Sequence, residues 1–196
     1  MDLKTIITHY VANGLSVIPI NPHGKFAKTP AGWLLPQDED DDGNPLWWSK
    51  DEDGNSIKVT ERPNNSRPVA TWSPFQIDLP SPEWINYWHN NNIQSIAGVA
   101  GGVSGGLEVI DFDVSDFFFR WSETIPSELY DKLVIQITGS GKFQCAYRCS
   151  EIEGNRKLAW EKDSSQKSGR MCAIETRGEG GYFLLPPSPH PDGGIY

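Results

Sequence analysis

The sequence predicts a mixed α/β fold of the α+β kind, in which a largely antiparallel sheet is flanked by helices. Three observations carry this expectation. From Ser95 onward, short apolar runs bounded by Gly or Ser recur at 95–99, 106–112, 133–138, 143–148, 171–176 and 181–185, the length and punctuation of strands. Helical patterns at 114–121 and 126–132 fall among them without the regular strand–helix alternation of a parallel sheet. Finally, 196 residues with 37% apolar content suffice for one compact core.

The elements follow in chain order. Leu3, Ile6, Ile7, Tyr10 and Val11 share one face of a helix over 3–12, and Gly14 stands where helices commonly stop. The β-branched stretch 15–20 reads as a strand. Residues 36–66 read as an insertion: between Asp38 and Arg62 nine acidic side chains face three basic ones, among turn formers such as Gly43, Asn44, Gly54 and Asn55. A small hairpin is expected there, pairing Leu46-Trp47-Trp48 with Ile57-Lys58-Val59. Ser81 then reads as an N-cap with Pro82 in the first turn of a helix that carries Trp84 and Trp88 on one apolar face and ends at Asn90-Asn91-Asn92. No internal repeat is evident, and no linker divides the last 130 residues.

Composition narrows the setting. No stretch approaches the roughly 20 apolar residues of a membrane span, and the N-terminal residues open an amphipathic segment unlike a signal peptide. Three sparse cysteines, Cys145, Cys149 and Cys172, fit neither a disulfide scaffold nor a zinc finger. A soluble, cytoplasmic protein in a reducing compartment is therefore expected. The net charge of −9 argues at first against a nucleic-acid partner, but −6 of it lies in the 38–62 window.

The chemistry concentrates in three segments. Leu107-Glu108-Val109-Ile110-Asp111-Phe112-Asp113 reads as a buried strand ending in two carboxylates. Positions two apart on a strand share a face, so Asp111 and Asp113 project together, and paired oxygen donors of this kind suit Mg²⁺ or Mn²⁺. The plain alternative is two solvated acids that cap the helix beginning near Val114. Thr138-Gly139-Ser140-Gly141-Lys142 is a tight turn whose amides, with Ser140 and Lys142, can meet phosphate oxygens, although the pattern departs from a P-loop and also suits an ordinary hairpin. Downstream, Glu175 offers a third carboxylate, and Arg177, on the same face by the period of two, suits a polyphosphate.

Taken together, Gly14 to Ile20, Lys28-Thr29-Pro30 with Gly32-Trp33, Ile96 to Gly101, Gly106 to Asp113, Thr138 to Gly141, and Arg177-Gly178-Glu179-Gly180-Gly181-Tyr182 running into Pro186-Pro187-Ser188-Pro189-His190 resemble the bifunctional primase–polymerase (prim-pol) domain of the archaeo-eukaryotic primase superfamily. The resemblance spans nearly the whole chain except the acidic insertion. It implies one prim-pol domain over 1–196, with divalent Mg²⁺ or Mn²⁺ held by Asp111, Asp113 and Glu175. Ser140, Gly141, Lys142, Gln144 and Arg177 would hold the nucleotide. A histidine of the family's Ser-Gly hairpin contacts the nucleoside triphosphate; here the matching residue is Gln144, which offers an amide donor but no positive charge. His9 and His89 read as surface residues, and His190 as structural.

The resemblance further implies template-directed nucleotidyl transfer, with nucleoside triphosphates and a single-stranded nucleic-acid template as partners. Such domains commonly form the N-terminal part of a longer phage, plasmid or mobile-element replication protein with a helicase behind it. Two other classes stay open: a catalytically degenerate module that binds nucleotide or DNA, which Gln144 and the acidic balance favour, and a metal-dependent nuclease or phosphohydrolase, which would use the same acids with an activated water. Trp47 and Trp48, adjacent within the polar insertion, suggest that one ring is exposed and open to base stacking.

Overall fold

A computed structural model describes residues 2–23, 28–190 and 193–196. The first helix, α1 (Leu3–Ala12), begins at Asp2, whose carboxylate accepts a hydrogen bond from the Thr5 N–H at 3.0 Å, and is followed by Gly14 at φ +74°. The strand β1 (Val17–Pro19) comes next. Within the acidic insertion, β2 (Trp47–Lys50) and β3 (Ser56–Val59) pair antiparallel with Trp47 opposite Val59, the expected hairpin. Both tryptophans are half-buried, and Arg62 lies 4.5 Å from the Trp47 ring centroid.

The acids of this insertion build its turns. Asp40 accepts from the N–H groups of Asp42 and Asn44 at 3.0 and 2.8 Å, and Asp51 does the same with Asp53 and Asn55 at 3.1 and 2.7 Å. These bonds, chiefly from Asn44 and Asn55, hold both carboxyls below the usual range. The two loops share the pattern Asp-x-Asp-Gly-Asn.

Helix α2 (Pro82–Asn90) is capped by Ser81, and Trp88 on its inner face is fully buried, its indole N–H donating to Leu34 O at 2.7 Å. The strands β4 (Ile96–Val99) and β5 (Leu107–Phe112) follow, then α3 (Ser115–Ser122), the single turn α4 (Ser127–Tyr130), and β6 (Val134–Ile137), β7 (Phe143–Arg148), β8 (Lys157–Lys162), β9 (Arg170–Arg177) and β10 (Tyr182–Leu184). They form an antiparallel three-stranded sheet ordered β1-β4-β10 and an antiparallel five-stranded sheet ordered β6-β7-β5-β9-β8.

Alternation along β5 divides the core. Leu107 and Val109 join Ile7, Val17, Ile96 and Trp88 in the larger apolar cluster, between the helices and the two sheets. Phe112 points the other way, onto Phe118 of α3, whose ring stacks on Phe143 at 4.0 Å. Burying such aromatic and branched side chains supplies the main stabilisation, roughly 1.5–3 kcal/mol each.

Strand β8 is absent from the sequence-based expectation. Its residues Lys157-Leu158-Ala159-Trp160-Glu161-Lys162 set only three apolar residues among three charges, because this is a sheet edge exposed along almost its whole length. All three cysteines are free thiols, and among the described residues no helix is long and apolar enough to cross a membrane.

Candidate active site

Strand register assembles the site. In the five-stranded sheet Gln136 lies opposite Gln144, Gln144 opposite Asp111, and Asp111 opposite Glu175, so one polar row crosses β6, β7, β5 and β9 on a single face. Asp113 follows β5 and stays in line because its N–H donates to Ala173 O at 2.9 Å. Asp111, Asp113 and Glu175 thus line one cavity of about 310 Å³. The same-face expectation for the first two holds, with Phe112 buried behind them.

Among the described residues, three cations line that cavity against the three carboxylates: Lys28, Lys142 and Arg177. Lys142 Nζ lies 2.7 Å from Asp113 Oδ1; Arg177 bonds Glu175 through Nη2, and the same nitrogen is 3.9 Å from Asp111 Oδ2. Burial pushes the Asp111 carboxyl up to about 6, and the Asp113 charge adds to this. Arg177 and a hydrogen bond from Gln144 oppose the shift.

Gln144 is 7% exposed, and its Oε1 accepts from Gln136 Nε2 at 3.1 Å. Its amide therefore serves the carboxylate row, with Gln136 as its support. The glycine turn also works differently from a simple amide cradle. Gly141 N–H donates to Thr138 O at 2.8 Å and Lys142 N–H to Thr138 Oγ1 at 3.2 Å, so these amides are used within the turn. Gly141, at φ +77°, shapes the turn and does not line the cavity; Ser140 and Lys142 do line it.

The far wall comes from the chain's ends. His190 is 4% exposed and lines the cavity, with its Nε2 3.2 Å from Lys28 Nζ and its ring 5.2 Å from Tyr196. Tyr182 donates its hydroxyl to Lys28 O at 3.1 Å. A Cβ on Gly139 would lie 2.4 Å from the His190 Cβ, so the lack of a side chain there is what lets His190 pack against the turn. Lys28 and His190 belong to the segments that carry the family resemblance, yet their spacing alone gives no sign that they meet.

Among the described residues no three His, Cys, Asp or Glu side chains form a ready metal cluster. The oxygen-only donor set suits a hard divalent cation, while the carboxylates as they stand are neutralised by Lys142 and Arg177. The family model described as bifunctional DNA primase/polymerase, N-terminal, matches residues 7–196. No curated protein matches the chain.

Proposed function

The chain belongs to the bifunctional DNA primase/polymerase family, and from that premise we propose that it catalyses template-directed nucleotidyl transfer for primer synthesis and DNA polymerisation. The convergence of Asp111, Asp113 and Glu175 on one cavity with Lys142 and Arg177 is the observation that carries this reading. In the reaction a 3′-hydroxyl loses its proton and its oxygen bonds the α-phosphorus of a nucleoside triphosphate, while the bond to pyrophosphate breaks. Asp111, Asp113 and Glu175 would hold Mg²⁺ or Mn²⁺, which supplies charge neutralisation and alignment of the reacting oxygens.

The remaining roles belong to the chain's cations and amides. Lys142 and Arg177 exchange their carboxylate partners for phosphate oxygens, Arg177 with the fork geometry that suits them. Ser140 adds a hydroxyl donor, and Lys28, oriented by His190 Nε2, faces the same space. Gln144 favours the ionised form of Asp111 against its burial and orients it through the bond it donates. A single-stranded template is the implied partner, and a helicase domain or protein the implied neighbour in replication.

The test is incorporation of labelled ribo- and deoxynucleotides on a single-stranded template with Mg²⁺ and with Mn²⁺. Asp111→Ala and Asp113→Ala are expected to abolish it, and full activity in both would refute the site. One observation favours the alternative of a degenerate binding module: Gln144 replaces a chargeable group, and its amide is engaged by Gln136 and Asp111. Under that reading the wild type incorporates almost nothing, and Gln144→His restores activity.

A further inference from the structure

Among the described residues three carboxylates and three cations line the cavity, and these together leave no excess positive charge to hold a polyanionic strand. The excess lies at the sheet edge. Residues 156–170, comprising β8, its turn and the start of β9, carry five cations and two acids, a net of +3 in a chain of −9. Lys157, Lys162, Lys167 and Arg170 are all exposed, and none forms an ion pair among the described residues.

Trp160 stands among them, 42% exposed and outside both apolar clusters. Lys157 Nζ lies 5.2 Å and Arg170 Cζ 4.5 Å from its ring centroid. A large indole held at an edge strand by cations, with little core burial to stabilise it, presents a π surface beside positive charge. That pairing is what single-stranded nucleic acid requires: a face for a base and cations for adjoining phosphates. The strand is adjacent to the site's β9, with Lys157 the register partner of Glu175, while Trp160 pairs with Cys172 after two register shifts and does not line the cavity.

We propose that the β8–β9 hairpin is a binding arm for single-stranded nucleic acid, with Trp160 stacking a base and Lys157, Lys162, Lys167 and Arg170 meeting phosphates. The arm's role in guiding a template rests on the nucleotidyl-transfer reading; the binding itself does not.

Fluorescence anisotropy with a labelled oligothymidylate, in EDTA across a salt series, tests the binding. Trp160→Ala should weaken it about tenfold, with Trp160→Phe keeping most of the affinity. Lys162→Ala/Lys167→Ala/Arg170→Ala should flatten the slope of log affinity against log salt by about 2. Wild-type affinity and slope in these variants overturn the inference, as does binding to duplex DNA or heparin that exceeds single-strand binding and ignores Trp160. Primer extension run in parallel separates the two readings. An inactive wild type that still binds through Trp160 removes the polymerase reading and leaves the arm, whereas an active wild type whose binding ignores the arm does the reverse.

Discussion

Gln136 Nε2 donates to Gln144 Oε1 at 3.1 Å and also to Leu184 O at 3.0 Å, which locks the amide that bonds Asp111. Replacing Gln136 by Leu leaves the buried Gln144 oxygen and the Leu184 carbonyl without that donor. A cost of about 1–3 kcal/mol is expected in urea unfolding. Gln136→Leu/Gln144→Leu should cost less than the sum of the single variants, because one orphaned acceptor disappears with its partner. Strict additivity would show that the two amides are not coupled.

Asp111 gives a pH-dependent prediction. Its folded-state value of about 6 lies above the 3.8 usual for an aspartate, so the native state binds this proton more tightly than the unfolded chain does. The resulting stability is complete below about pH 4 and lost as pH rises through about 6, which leaves the ionised carboxylate costing on the order of 3 kcal/mol above that range. In EDTA, Asp111→Asn should therefore be more stable than wild type at pH 8 and nearly equal to it at pH 4, while losing nucleotide incorporation. An equal difference at both pH values would contradict this.

Local signals explain what the sequence made legible. The bounds of α1 and α2 follow from Asp2, Gly14, Ser81 and Pro82, residues that act within one turn of themselves. The shared face of Asp111 and Asp113, and of Glu175 and Arg177, follows from the two-residue period of strands. Strand β8 escaped because its stability comes from pairing with β9, and its short apolar stretch Leu158-Ala159-Trp160 is hemmed by charges and largely exposed. Gln136 escaped because only inter-strand register brings it to Gln144. Lys28 and His190 escaped because they meet across 162 positions of sequence.

The Ser-Gly turn separates two kinds of glycine requirement. Gly141 has φ +77° with nothing within 4 Å of a Cβ built there, so Gly141→Ala should cost about 1 kcal/mol, from backbone strain alone. Gly139 has a normal φ, but its Cβ would meet His190 Cβ at 2.4 Å and Gly193 O at 2.9 Å. Gly139→Ala should cost about 2–3 kcal/mol and, by displacing His190 from Lys28, raise the KM for nucleotide more than it lowers kcat. A greater loss of stability in Gly141→Ala, by thermal melting, would reverse the assignment.

The acidic insertion is built to be separable. Gln37 and Ala70 already pair as an antiparallel bridge, and Asp38 N–H donates to Val69 O at 2.6 Å, so the two ends of the insertion lie side by side. No residue from 39–68 belongs to either apolar cluster. Replacing residues 39–68 with Asn-Gly, a dipeptide suited to a two-residue hairpin turn, should leave the cooperative unfolding transition intact. The change moves net charge from −9 to −5 by removing eight acids and four bases. If the insertion repels a polyanion through its field, the shortened chain should bind a single-stranded oligonucleotide several-fold more tightly at about 50 mM salt, where the Debye length still exceeds 10 Å. The gain should vanish near 0.5 M, where screening confines the field to a few ångströms. A gain that persists at high salt would mean that the hairpin blocks binding by contact, and weaker binding at every salt concentration would mean that it contributes to the interface.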